Sequence, residues 1–210
     1  QFQEIGDFIK KNNMRISMHP DQFTLINAKD PEIVRRSIEE LNYHCEVLDL
    51  MGLDHTAKIQ IHVGGVYGDK EASIKRFVGN YIKLPEKIKK RLVVENDDRS
   101  YSLKDCLKIN KRCGVPILFD TFHHECLNDG ENMREALLKA KSTWKEEDGE
   151  LMIDYSTQKA EARRGTHTQH IDIGHFRDLL QKTRDINFDI MLEIKDKEES
   201  ALKAIKEVGC

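Results

Sequence analysis

Pro116-Ile117-Leu118-Phe119-Asp120-Thr121-Phe122-His123-His124 reads as a short buried strand that runs straight into an aspartate, with two histidines close behind. Packing alone does not ask for that ending, because a buried carboxylate is costly unless it is paired or bound to a cation. Five other stretches repeat the design. They are Arg15-Ile16-Ser17-Met18-His19 before Pro20, Lys58-Ile59-Gln60-Ile61-His62-Val63 before Gly64-Gly65, Leu92-Val93-Val94-Glu95-Asn96, Leu151-Met152-Ile153-Asp154-Tyr155, and Asp189-Ile190-Met191-Leu192-Glu193-Ile194.

Between these strands the apolar residues recur at helical spacing. Residues 2–12 predict a helix, and Asp30-Pro31 opens a longer one that runs to Leu50 with Ile33, Val34, Ile38, Leu41, Cys45 and Leu48 on its apolar side. Further helices are predicted over 70–90, 102–112, 131–142, 174–184 and 197–208. Strand and helix thus alternate six times, which calls for parallel strands covered by helices, as in a doubly wound sheet or a (β/α) barrel. No strand ends in G-x-G-x-x-G or G-x-x-x-x-G-K-[ST], so the nucleotide-binding sheets lose ground and no nucleotide cofactor is expected.

The expected fold is therefore α/β, a TIM-type (β/α) barrel with six βα units visible, two fewer than a closed barrel holds. The chain begins at Gln1, so the expectation is a single, incomplete barrel domain over 1–210 that lacks the first two strands. Such an arc leaves open edges, which a second copy could cover.

At 39% hydrophobic and 34% charged residues, the composition is that of a water-soluble globular domain, with no run long enough to span a membrane. The net charge of −3 does not advertise a nucleic-acid binder, so any such role needs a local basic patch. Five cysteines (Cys45, Cys106, Cys113, Cys126, Cys210) show no C-x-x-C spacing, and a reducing cytoplasm is the expected setting.

Alternation sharpens the functional reading. Side chains point to opposite faces of a strand with period two. Ile16 and Met18 oppose Ser17 and His19; Ile59 and Ile61 oppose Gln60 and His62; Leu192 and Ile194 oppose Met191 and Glu193. The aliphatics would face the helices and the polar tips the barrel axis, converging at the carboxyl ends of the strands where barrel active sites form. His19, His62, Glu95, Asp120, Asp154 and Glu193 are those tips, with His123 and His167 able to join them. Divalent cations are the least costly way to hold such a set together in a partly dry pocket. The donors are nitrogen and oxygen only, which suits Mn²⁺ or Zn²⁺ and, less well, Mg²⁺. So many donors imply two or three cations with Glu95 bridging, and a site of that type suits in-line displacement at phosphorus.

His19-Pro20-Asp21-Gln22-Phe23, Ile61-His62-Val63-Gly64-Gly65, Val94-Glu95-Asn96-Asp97, Phe119 to His124, Asp154-Tyr155-Ser156, Gly165-Thr166-His167 and Met191 to Lys197 together resemble the UV damage endonuclease family over nearly the whole chain. The resemblance implies a TIM barrel similar to that of endonuclease IV, and hydrolysis of the phosphodiester 5′ of UV photoproducts and related lesions in double-stranded DNA. It implies a cluster of divalent metals, typically manganese, held by His19, His62, Glu95, Asp120, His123, Asp154, His167 and Glu193. It further implies that Gln22 and Phe23 form a wedge at the lesion, that Lys195 lies close to the metals and the scissile phosphate, and that the full-length family is monomeric, with a dimer possible for this shorter chain. Glu95, Glu193 and Lys195 are the expected catalytic residues. Many relatives carry histidine where this chain has Asp154, and a lysine is common where it has Met152, a departure that bears on one metal position.

Plainer readings stand beside these. His44 and His175 suit surface or capping roles, His55 a solvated loop, and His124 should point away from its neighbour His123. His170 competes with His167 as the ligand of its loop. Arg163 and Arg164 precede His167 and are candidates for phosphate contact. Lys87 to Arg91 reads as a solvated charged face, and Trp144 as a core anchor. Two rival functions remain: a xylose-isomerase-like sugar isomerase or epimerase, and a truncated barrel that only binds metal.

Overall fold

The computed structural model describes residues 1–209; the last expected cysteine, Cys210, lies outside them. Six strands, β1 (Ser17–Met18), β2 (Lys58–His62), β3 (Leu92–Glu95), β4 (Ile117–Asp120), β5 (Met152–Tyr155) and β6 (Asp189–Leu192), form one parallel sheet whose spatial order is the chain order. Helices α1 (Phe2–Lys11), α2 (Pro31–Leu50), α3 (Lys70–Ile82), α4 (Glu86–Lys89), α5 (Leu103–Cys113), α6 (Thr121–Cys126), α7 (Met133–Lys141), α8 (Ile173–Lys182) and α9 (Glu198–Val208) link the strands and cover the outside. The result is a curled part of a TIM barrel, as the sixfold alternation predicted.

The helices begin where side-chain oxygens can meet their first free N–H groups. Asp30 accepts from Glu32 N, Asp69 from Ala72 N and Asp172 from His175 N, while Asn132 and Glu135 form a reciprocal capping box. Each such cap is worth about 1 kcal/mol. Two local expectations are corrected. The single helix expected over 70–90 is broken at Leu84-Pro85, because proline has no N–H to continue the ladder, so α3 stops at Ile82 and α4 is a separate turn. The helix α6, directly after β4, was not foreseen; Asp120 caps it by accepting from His123 N.

Outward-facing apolar residues of the strands (Ile59, Ile61, Leu92, Val94, Ile117, Phe119, Ile153) pack against Leu41, Leu48, Phe77, Leu103, Leu137 and Phe176 of the helices in one continuous core. The opposite strand faces fill the axis in layers. Val93, Leu118 and Met152 are fully buried together, with Trp144 against them and its indole N–H bonded to Ile117 O. Below this apolar layer lies a charged floor, where buried Lys58 donates to Asp148 at 2.6 Å and to the carbonyl of Lys90. Arg15 donates there to Asp189 and to the carbonyls of Glu150, Asp148 and Thr56. Arg91, expected on a solvated face, is buried instead and anchors the carbonyls of Leu53, Asp54 and Ala57 as well as Asp49. Two residues above Val93, Leu118 and Met152, on the same face, stand Glu95, Asp120 and Asp154.

Candidate metal centre

Register brings the strand tips side by side. His62 pairs in register with Glu95 across β2–β3, and Asp120 with Asp154 across β4–β5. Side chains at matched positions of neighbouring parallel strands point the same way, so all four project into one space at the carboxyl end of the sheet. Glu193, one residue past β6, and His19, one past β1, approach from the two sheet edges, with His19 Nδ1 3.5 Å from Glu193 Oε1.

The imidazoles line up around this space. Ring centroids are 5.2 Å apart for His19 and His62, 5.6 Å for His62 and His123, and 5.7 Å for His123 and His167. Two of these rings are fixed by main-chain carbonyls. His123 Nδ1 lies 3.0 Å from the Asn96 carbonyl oxygen and His167 Nδ1 lies 3.0 Å from that of Glu193. A carbonyl only accepts, so each Nδ1 donates to it, and Nε2 is the nitrogen left facing the cluster.

Glu95, Asp120 and Asp154 are completely buried. Burial pushes Glu95 up, but His62, His123 and His19 outweigh it and hold the carboxyl down to about 2. Burial pushes Asp120 well above the usual carboxylate range; His123 opposes it, and Glu95 and Glu193 add to it. Burial also raises Asp154, reinforced by Glu95, Glu193 and Asp120. For His123, burial favours the neutral ring, yet Glu95 and Asp120 carry it up to about 10. Carboxylates so arranged repel one another unless positive charge lies among them.

The donors fit divalent cations on their own geometry. Asp154 Oδ1 and the nitrogen His62 Nδ1 are buried with no hydrogen-bond partner among the described residues, and Glu95 Oε1 and Asp120 Oδ2 both crowd one nitrogen, His123 Nδ1, at 3.0 and 3.1 Å. Unmet polar atoms converging on one space are what a coordinated cation would satisfy. Three donor groups bring atoms within 4.8 Å of one another: His19, His62 and Glu95; Glu95, Asp120 and His123; and Asp120, Asp154 and Glu193. His167 adjoins these groups without belonging to one. The rival of His167, His170, turns outward to Asp196 at 2.9 Å, and His124 is buried against Phe119 with Nε2 3.2 Å from the Glu131 carbonyl.

The expected DNA-facing residues sit on the same rim. Asp21 Oδ1 accepts from Phe23 N in a tight turn that displays Gln22 and Phe23, the latter 72% exposed. Both line a groove of about 450 Å³ shared with His62, His123, Asp97, Asp98 and Arg99. Across the pocket, exposed Lys195 lines a second cleft with His167 and Glu193. Arg163 is exposed, whereas Arg164 reaches back to the carbonyls of Glu125 and Cys126 and ties its loop to α6.

Two supporting residues escaped the sequence reading. Asn96 donates to the Asp120 carbonyl at 2.9 Å and accepts from Asp120 N at 3.0 Å, while its own carbonyl fixes His123. Gln60 lies beneath the cluster and touches Asp154, Glu95 and His19. Its signal was present: an amide on the inward face of a buried strand, two residues before His62.

A family model described as UV-endonuclease UvdE matches residues 1–209. The chain is 41% identical over 207 residues to a UV DNA damage endonuclease of Clostridium perfringens, covering 98% of this chain and 50% of that protein. It is 38% identical over 211 residues to one of Bacillus cereus strain G9842, covering 99% and 66%. It thus spans between half and two thirds of the length of these relatives. Among solved structures, SacUVDE superposes with a TM-score of 0.92 at 49% identity, over 98% of this chain and 68% of that one. Endonuclease IV from Thermus thermophilus (TM-score 0.61, 15% identity, 98% of this chain and 78% of that one) and an L-ribulose 3-epimerase (0.64, 16%, 100% and 72%) share the fold.

Proposed function

The chain belongs to the UV-endonuclease UvdE family, and from that premise we propose that it serves as a metal-dependent DNA repair endonuclease, hydrolysing the phosphodiester 5′ of UV photoproducts and related lesions in duplex DNA. The observation that carries this reading is the groove that joins exposed Gln22 and Phe23 to His62 and His123. An exposed Gln–aromatic pair beside the pocket suits a duplex opened at a lesion, which offers bases to stack on.

In this reading His19, His62, Glu95, Asp120, His123, Asp154, His167 and Glu193 hold two or three divalent cations, with Mn²⁺ the best match to a mixed imidazole and carboxylate set. Bound cations supply Lewis acidity and make water a stronger nucleophile at neutral pH. The chain's own groups do the positioning. Glu95, buried and held ionised between three imidazoles, orients the set from its centre. Glu193 draws His19 and His167 toward the opening. Lys195 brings positive charge to the rim, where charge develops on a phosphate in displacement. Arg163 is free to reach a neighbouring backbone phosphate, while Arg164 holds its loop in place.

The duplex is the expected partner and the cytoplasm the expected setting; no helix among the described residues is long and apolar enough to cross a membrane. The test is nicking of UV-irradiated supercoiled plasmid by protein reconstituted with Mn²⁺, beside chelator-treated protein and unirradiated plasmid. Cutting that requires both the metal and the irradiation supports the proposal. Chelator-resistant nicking, or equal cutting of both plasmids, overturns it.

A further inference from the structure

The donor cluster is chemically uneven. One corner offers two imidazoles and a carboxylate (His19, His62, Glu95), and the opposite corner offers carboxylates alone (Asp120, Asp154, Glu193). Gln60 stands between the two. It is 2% exposed, and its Oε1 accepts from Ser17 Oγ at 3.1 Å, which fixes which end of the amide points up. The amide nitrogen then lies 2.5 Å from Asp154 Oδ2, 3.3 Å from Glu95 Oε2 and 3.4 Å from His19 Nδ1.

An amide nitrogen carries two hydrogens and no lone pair for a cation. Gln60 therefore engages Asp154 Oδ2 as a donor, which leaves the buried, unpartnered Oδ1 the freer of the two oxygens for coordination. Asp120 is arranged the same way. Its Oδ1 accepts from His123 N at 2.8 Å, and its buried Oδ2, 3.1 Å from His123 Nδ1, is the oxygen that faces the cluster. Each aspartate thus presents one fixed oxygen to the corner that Glu193 completes. An all-oxygen donor set suits hard cations, while imidazole favours Zn²⁺ and other borderline ions.

We propose that this corner is a hard-cation seat, kept so by Gln60 holding Asp154 as a single-oxygen ligand, and that it accepts Mn²⁺ or Mg²⁺ while the imidazole-bearing corner retains Zn²⁺. The proposal rests on the metal-dependent reading above and refines it: the two ends of one cluster differ in the ion they select. Gln60 is a positioning residue here, acting through Asp154.

The experiment uses the full chain, stripped of metal, loaded with Zn²⁺ to saturation of its tight sites and dialysed against Mn²⁺. Both metals are counted by elemental analysis, with Asp154→Asn and Gln60→Leu alongside and folding followed by circular dichroism. The parent should take up Mn²⁺ beyond its retained Zn²⁺. Asp154→Asn should lose that added Mn²⁺, and Gln60→Leu should weaken it by about 10–100-fold, the range for second-layer partners of a ligand. The tightly held Zn²⁺ should not change in Asp154→Asn, and in Gln60→Leu it should fall less than the Mn²⁺, since Gln60 also touches Glu95 and His19. Parallel loss of both metals, or Mn²⁺ uptake unchanged in folded variants, overturns the hard seat. Nicking of irradiated plasmid by the same samples separates the two readings. A parent that nicks while its variants keep full Mn²⁺ uptake loses the seat alone, and one that shows the selective uptake but never nicks loses the endonuclease alone. Retention of no divalent cation by the parent removes both.

Discussion

His19 Nδ1 lies 3.5 Å from Glu193 Oε1, which joins the tip of β1 to the residue just past β6 although these strands are the opposite edges of the sheet. At the other end of the same two strands Arg15 engages Asp189. The arc is therefore tied across its opening both at the pocket and at the floor. Arg15 also serves three carbonyls, so Arg15→Met should lower stability by about 2–4 kcal/mol in urea unfolding, the range for breaking charged, partly buried hydrogen bonds. A change within about 0.5 kcal/mol, the scatter of ordinary surface substitutions, would remove Arg15 from this role.

Cation removal should destabilise the fold. Asp120 and Asp154 are raised by burial and by their acidic neighbours, and a bound cation relieves that strain only in the folded state. Mn²⁺ at a hundred times its dissociation constant should add about 2.7 kcal/mol. Calorimetry of stripped and reloaded protein checks this; unchanged melting would mean that the acidic cluster folds equally well without a cation.

Phe23→Ala should separate recognition from folding. The ring is 72% exposed, so stability should stay within about 0.5 kcal/mol of the parent. Affinity for irradiated duplex should fall by about 1–3 kcal/mol, the contribution of one base stacked on an aromatic. Fluorescence anisotropy with a lesion-bearing oligonucleotide measures the loss.

Asn96→Leu should do the reverse, harming the fold and the site together. It leaves the buried N–H and carbonyl of Asp120 without partners, at a cost of about 2–5 kcal/mol for the two groups. Metal affinity should fall as well, because Asp120 and His123 both take their orientation from this residue. Denaturant unfolding and metal titration read the two effects separately.

A pH effect is expected away from the pocket. The hydrogen bond that His175 donates to Glu125 raises the ring above its ordinary 6.5, against the opposing pull of burial. A raised histidine stabilises the folded chain fully below 6.5, and that gain is lost as pH climbs through the folded value. Glu125→Gln should therefore cost more near pH 5.5 than near pH 8.5, by less than about 1 kcal/mol because the pair is partly exposed. Unfolding at both pH values, with the His175 ring proton followed by NMR, tests the sign.

Much of this arrangement was legible in the strand tips. The two-residue period put Ser17 with His19, Gln60 with His62 and Met191 with Glu193, and the register then set His62 beside Glu95 and Asp120 beside Asp154. What escaped was whatever depended on a partner distant in sequence. Arg91 sits among Lys87, Lys89 and Lys90 and looks solvated, yet carbonyls near residue 55 bury it. Asp120 was legible as a candidate ligand but not as the cap of α6, since Thr121-Phe122-His123-His124 is too short a run to show a period. Gln60 looked like any strand amide until its partners from three strands were in view.

Because spatial order repeats chain order, each strand finds its neighbour already made when it leaves the ribosome, and the sheet can grow from the amino-terminal end by local pairing. The cross-opening pairs wait longest: Arg15 with Asp189 and His19 with Glu193 each span more than 170 residues. The pocket thus closes through contacts of the greatest sequence separation in the sheet.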